Sequence, residues 1–194
     1  MNEQKIPQNE QKYSVEDYLR LEKKQGTKHE FYNGRVLPKS GLGRKHNLIC
    51  SNMTVAIGSR ILGQKYEVYV NGIKVRLNSR NFTYPDLVVV SANPQFDSNE
   101  TDILLNPTVI VEVISGKTQT NDKTEKLEGY LAMDSVRECL LVKENELKVE
   151  QYAKQNPKQW MYKIYDGKDE IISLDAIKCK ISLAEIYAQI NIGN

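Results

Sequence analysis

Cysteine is scarce in this sequence, and the three present, Cys50, Cys139 and Cys179, are far apart and form no CxxC pair. That excludes a zinc ribbon and a disulfide framework, and it fits a reduced, cytoplasmic setting. No stretch reaches the roughly 18 consecutive apolar residues of a membrane span. The polar, Gln/Asn/Lys-rich residues 1–12 lack the apolar run of a signal peptide and read as a disordered tail. No internal repeat or low-complexity stretch occurs in residues 13–190. What is present is ordinary for a soluble globular chain, with 40% hydrophobic and 27% charged residues. The length of 194 residues suits one domain, spanning 13–194 and large enough to bury its own core.

Net charge is only +2, yet it is unevenly spread. Between Phe31 and Pro85 lie Arg35, Lys39, Arg44, Lys45, Arg60, Lys65, Lys74, Arg76 and Arg80, and the only acid there is Glu67. A segment so basic, in a chain otherwise slightly acidic, points to a face that meets a polyanion; two unlike solvated faces would give the same count.

Hydrophobic periodicity predicts the elements. Ser14–Gln25 reads as a helix capped by Ser14 and stopped by Gly26. His29–Leu37 reads as strand and return across Asn33-Gly34, and residues 38–43 as a loop. Asn47–Leu62, starting near Arg44, reads as a long helix with Ile49, Met53, Ala56, Ile57 and Ile61 on one side. Tyr66–Val70 and Ile73–Leu77 suggest a hairpin across Asn71-Gly72. Tyr84–Val90 and Thr108–Ile114 are β-branched runs expected in the middle of a sheet. Thr120–Met133 reads as a helix and Cys139–Val142 as a strand. Leu147–Tyr152 and Trp160–Tyr165 suggest an antiparallel meander, and Ser182–Ile190 a helix with a Ser182/Glu185 capping box.

Two acids interrupt the most apolar runs. Asp86 opens Leu87-Val88-Val89-Val90, and Glu112 sits within Val109–Ile114. A carboxylate in a buried strand costs several kcal/mol unless a partner offsets it. A hard divalent cation, magnesium or manganese, prefers such oxygen ligands, and a bound cation of this kind activates water and stabilises a phosphate. A salt bridge for Glu112 and a turn role for Asp86 are the structural alternatives.

Tyr84-Pro85-Asp86-Leu87-Val88-Val89-Val90, then about twenty residues, then Val111-Glu112-Val113-Ile114-Ser115, resembles the PD-(D/E)XK nuclease superfamily. Within it the chain is most similar to the Uma-two family of restriction endonucleases, once a domain of unknown function, from about Tyr13 to Ile190. Glu30 and Gly34, His46, and the series Asp122, Lys126, Tyr130 belong to the same likeness. The resemblance implies an α/β, restriction-endonuclease-like core: a mixed central sheet flanked by helices, with a C-terminal antiparallel meander. It also implies Asp86 and Glu112 as metal ligands, with Glu30 completing the shell; a strand-end surface acid is the alternative for Glu30.

Two departures stand out. Ile114 lies where the superfamily has lysine, and Ser115-Gly116-Lys117-Thr118 replaces a Ser-Pro-Ser-Thr stretch. The resemblance implies a lysine supplied by the following helix. Asp122, Lys126 and Tyr130 share one helical face, drifting about 40° per step, so Lys126 is the candidate, with Lys117 as competitor and Asp122, Tyr130 and Ser115 in support; a solvated i, i+4 pair with Asp122 is the alternative for Lys126. The Gly-Lys-Thr of that loop is no P-loop, because the glycine needed five residues before Gly116 is Val111. His46 falls on the apolar side of its helix, where it orients a phosphate or water or simply fills the core.

The expected activity is metal-assisted phosphodiester hydrolysis of nucleic acid, DNA in the first instance, by a homodimer. Asp86, Glu112 and Lys126 carry the chemistry, and Arg35, Arg44, Lys45, His46 and Arg60 hold the backbone. A non-catalytic nucleic-acid-binding relative and a dimeric scaffold protein are the other readings.

Overall fold

The computed structural model describes residues 12–24, 27–39, 43–91, 93–115 and 120–192, without the side chains of 120–123. Residues 1–11 of the expected tail, the Gly26 helix stop, much of the 38–43 loop, Lys117 and the Asp122 side chain therefore lie outside the described residues.

The fold is α/β with mixed sheets flanked by helices. Its centre is a six-stranded sheet made of β3 (Tyr66–Val70), β6 (Leu87–Ser91), β8 (Val109–Ile114), β9 (Glu138–Lys143), β10 (Val149–Asn156) and β11 (Gln159–Tyr165), in the order β11-β10-β9-β8-β6-β3. The β8–β9 pair is parallel and every other pair is antiparallel. The side-chain alternation of β8 assigns its faces. Val109, Val111 and Val113 pack with Ile49, Met53 and Ile57 of α2 (Arg44–Ile61). Ile110 and Ile114 pack with Tyr130 of α3 (Thr120–Ala132). Glu112 shares the parity of Ile110 and Ile114, so it is turned toward α3.

A second, five-stranded sheet stands beside the first. It contains β1 (His29–Tyr32), β2 (Arg35–Pro38), β4 (Lys74–Asn78), β5 (Asn81–Thr83) and β7 (Ile103–Leu104), in the order β2-β1-β5-β4-β7. Its β1–β2 hairpin turns on Asn33 and Gly34, both at positive φ (48° and 91°), as a type I′ turn requires. The helix α1 (Val15–Lys24) closes this sheet by stacking Tyr18 on Phe31, ring centroids 4.8 Å apart. At the C-terminus, the hairpin β12 (Ile171–Leu174) and β13 (Cys179–Ser182) and the short α4 (Leu183–Ile186) cover α2, with the Ser182/Glu185 capping box formed.

One expected hairpin is absent. β3 and β4 do not pair; they belong to different sheets. Asn71 takes positive φ (51°), but Gly72 is not among the positive-φ residues, and a type I′ turn needs both. The Asn71 N–H donates instead to the Asp86 carbonyl, so the chain crosses between sheets at the point where Asp86 enters β6. The C-terminal helix is also shorter than expected, ending at Ile186 rather than Ile190.

Candidate active site

The ladder between β6 and β8 runs Leu87↔Val111, Val88↔Ile110, Val89↔Val109. One step further brings Asp86 opposite Glu112, at the end of the sheet where β6 begins. There the Val113 N–H has no strand partner on that side, and the Asp86 carboxylate accepts it at 2.8 Å. A backbone donor left by the end of the ladder thus anchors the acid. The other contacts of Asp86 are cationic or potentially so: Lys39 Nζ at 2.9 Å on Oδ1 and His46 Nε2 at 3.1 Å on Oδ2. Lys39 also donates to the Tyr84 carbonyl. Burial pushes the Asp86 carboxyl up, but the His46 hydrogen bond and the Lys39 charge outweigh it and hold it well below the usual range. Burial likewise works against protonated His46, yet Asp86 and Cys50 raise it to about 10, so imidazolium is the form beside Asp86 at neutral pH.

Glu112 has a different environment. Tyr130 Oη donates to its Oε1 at 2.5 Å, and Lys126 Nζ lies 3.5 Å from the same oxygen. Lys126 also reaches Glu30 Oε1 at 2.7 Å, and Glu30 accepts Thr83 Oγ1 at 2.8 Å. Because Lys126 and Tyr130 are four residues apart on α3, one helical face presents both to β8. Burial pushes Glu112 up; Lys126 opposes this and Asp86 adds to it. Burial pulls Lys126 down, but the negative charges of Glu112 and Glu30 raise it above its ordinary value. Lys126 is therefore an ammonium ion held between two carboxylates, suited to stabilising negative charge rather than to accepting a proton.

The residues named from sequence divide into those the fold gathers and those it does not. At this end of the sheet Asp86 gathers Lys39 and His46, while Lys126 and Tyr130 gather on Glu112, with Glu30 on Lys126. Lys45 lies one residue before His46 on α2 and reaches Asn145 Oδ1 at 3.3 Å, and Arg44 opens the same helix. Arg35 is on β2 and pairs with Glu125 of α3 at 2.8 Å, one residue from Lys126. Arg60 is not brought here. It lies sixteen residues along α2 from Arg44, about 24 Å at 1.5 Å per residue, and pairs with Glu185 of α4 at 2.6 Å. Ser115 follows β8 directly and is half-buried. Ile114 is buried against the α3 face and takes no polar part.

The three-carboxylate shell is also looser than expected. Among the described residues, the group of three with ligand atoms all within 4.8 Å of one another is His46, Cys50 and Asp86. Glu30 and Glu112 instead share Lys126. Three participants were missed in the sequence: Lys39, which binds Asp86; Thr83, which fixes Glu30; and Cys50, whose Sγ lies 3.5 Å from His46 Nδ1. The His-x-x-x-Cys spacing on a predicted helix was the one available signal, since it places both side chains on one face.

A sequence profile of the Uma2 family, described as "Putative restriction endonuclease", matches residues 15–185. The chain belongs to that family. Two uncharacterized proteins of Synechocystis sp. (strain ATCC 27184 / PCC 6803 / Kazusa) are similar over most of the Uma2 chain. One, sll1609, is 28% identical over 163 residues, 84% of this chain and 92% of its own. The other, slr1290, is 27% identical over 177 residues, 91% of this chain and 92% of its own. Among solved structures, a "putative nuclease belonging to DUF820" from Anabaena variabilis superposes with TM-score 0.73 at 18% identity, covering 91% of this chain and 98% of its own. At that identity the likeness speaks for the fold. No helix among the described residues is long and apolar enough to cross a membrane.

Proposed function

We propose that this protein is a magnesium- or manganese-dependent endonuclease that hydrolyses phosphodiester bonds in DNA. The observation that carries the reading is the β6–β8 register, which one step beyond Leu87↔Val111 sets Asp86 opposite Glu112, with the Lys126 ammonium on Glu112. Two carboxylates and surrounding water are the donor set a hard divalent cation takes. Such an ion would supply Lewis-acid charge and would activate a water for attack. The Lys39 and Lys126 ammonium groups already sit against these carboxylates, so this end of the sheet is built to balance cationic against anionic charge.

Around that ion the chain's own residues act as follows. Asp86 and Glu112 would hold it, and Glu30 keeps Lys126 in place. Lys126 faces the charge that develops on the phosphoryl oxygens. Tyr130 fixes the Glu112 oxygen, and His46 fixes Asp86. Arg35, Arg44 and Lys45 supply charge for the nucleic-acid backbone without reading bases. Ser115 and Asp122 flank the loop that joins β8 to α3. A symmetric homodimer in the cytoplasm, each copy cutting one strand, completes the proposal.

The test is cleavage of supercoiled plasmid with Mg²⁺ or Mn²⁺, set against Asp86→Asn and Glu112→Gln, with Mn²⁺ binding followed calorimetrically. Cleavage and ion binding lost together in both variants is the expected result. A wild type that binds DNA with strong salt dependence, yet cuts nothing with either ion, identifies a non-catalytic binding relative instead.

A further inference from the structure

We propose that Cys50, His46 and Asp86 form a second, thiophilic metal site that takes zinc and thereby shuts off the magnesium site. The inhibitory half of this inference rests on the nuclease reading; the metal site itself does not.

Four residues separate His46 from Cys50 on α2, which puts both on the same helical face. Two metal-ligating side chains at that spacing form a natural clamp. Asp86 approaches from the start of β6. His46 Nδ1 lies 3.5 Å from Cys50 Sγ, and His46 Nε2 lies 3.1 Å from Asp86 Oδ2. One ligand atom from each residue falls within 4.8 Å of the others. Zinc bonds of about 2.0–2.3 Å to nitrogen, oxygen and sulfur place tetrahedral ligands roughly 3.3–3.8 Å apart. Only one imidazole nitrogen can enter, so a small rearrangement of the ring closes the set and water fills the fourth position.

The chemistry of the donors separates this site from the carboxylate pair. A thiolate and an imidazole select zinc, cobalt or another borderline ion over magnesium, which prefers oxygen. Cys50 is a free, buried thiol that reaches the hydrolytic site only through His46. On binding, its S–H bond breaks, a sulfur–metal bond forms, and the proton leaves to solvent; a proton on the ligating imidazole nitrogen leaves likewise. Asp86 is common to both sites. An ion held by Cys50 and His46 draws Asp86 away from Glu112, so zinc and magnesium compete for one carboxylate.

The experiment titrates the full-length protein with Co²⁺ and reads the thiolate-to-cobalt charge-transfer absorption, then repeats plasmid cleavage in Mg²⁺ with increasing Zn²⁺. The wild type should show the sulfur band at one equivalent of cobalt. Cys50→Ala should lose it, while Cys139→Ala/Cys179→Ala should keep it. Zinc should inhibit wild-type cleavage at least tenfold more strongly than it inhibits Cys50→Ala. Cobalt binding without a sulfur band, or a band that survives in Cys50→Ala and disappears in the double variant, overturns the site. If Cys50→Ala does not fold, the double variant still decides, because Cys50 is its only thiol. The absorption needs no turnover: a band with no cleavage keeps this site and removes the nuclease reading, and cleavage with no band does the reverse.

Discussion

Replacing Lys126 with methionine keeps the aliphatic stem and removes the ammonium from between Glu30 and Glu112. Both carboxylates are buried, and Lys126 lies 2.7 Å from one and 3.5 Å from the other. Breaking a buried pair by removing one partner costs about 3–5 kcal/mol, because the other partner keeps an uncompensated charge. For a chain of this size each kcal/mol moves the Tm by about 2–4 °C, so the expected loss is about 6–20 °C at neutral pH. Calorimetric or fluorescence melting across pH 4–8 reads it. The sign follows from Glu112, whose carboxyl burial pushes up. Protonation removes the orphaned charge, so the gap between Lys126→Met and wild type should shrink as pH falls. Glu112→Gln in the Lys126→Met background should recover part of the loss, a coupling that a double-mutant cycle isolates. Mg²⁺ should raise the Tm of Lys126→Met more than that of wild type, since an ion binding the native state replaces the missing charge. A variant that melts within about 2 °C of wild type throughout, or a gap that widens in acid, would refute the claim that Lys126 neutralises this pair.

Two further outcomes are expected away from the reacting atoms. Glu138 accepts hydrogen bonds from Gln151 and from the backbone N–H groups of Asp175 and Ala176, yet burial pushes its carboxyl up from 4.5 to about 7. The folded state therefore holds this proton more tightly than the unfolded one. Its contribution is fully present below about pH 4.5 and is lost as pH rises through 7, at most about 3 kcal/mol. Urea titrations of Glu138→Gln should show a flatter stability curve over that window than wild type, and parallel curves would count against it. Gly129 lets α3 lie close to β4, where an added Cβ would stand 2.7 Å from Leu77 Cδ1. Gly129→Val should cost about 1–3 kcal/mol by overpacking and lower plasmid cleavage by displacing Lys126 and Tyr130 together; unchanged melting would show that Leu77 simply turns aside.

The parts of the molecule that could be read from sequence are those whose signal is local. The 3.6-residue spacing of Ile49, Met53, Ala56, Ile57 and Ile61 announces α2, and all five are buried. The β-branched runs announce β6 and β8, and an acid in each stands out because burial makes it costly. The five-stranded sheet was not legible as a sheet, because β5 and β7 have three and two residues, too few to show alternation. Asn71-Gly72 misled because a turn dipeptide reports the backbone conformations it permits, and here the Asp86 carbonyl captured the Asn71 N–H first.

Charge was harder to place than hydrophobicity, for a geometric reason. Counting basic residues between Phe31 and Pro85 treats them as neighbours, but α2 alone carries Arg60 about 24 Å away from Arg44. There Arg60 meets Glu185, while Lys39, counted as one cation among nine, ends 2.9 Å from the central acid. Lys39 and Cys50 share this character. Each matters through its place beside Asp86, which depends on where β6 begins; the four-residue spacing puts Cys50 beside His46, but no local pattern brings either that pair or Lys39 to Asp86. The acids are conspicuous because they break an apolar run; the groups that tune them are not, because a lysine in a loop and a cysteine on an apolar helix face break nothing. The same asymmetry makes Lys126 the exception among the cations: its four-residue spacing from Tyr130 fixes both on one helix face, and the parity of β8 turns Glu112 toward that face. Where two local periodicities converge on one point, sequence alone places a tertiary contact.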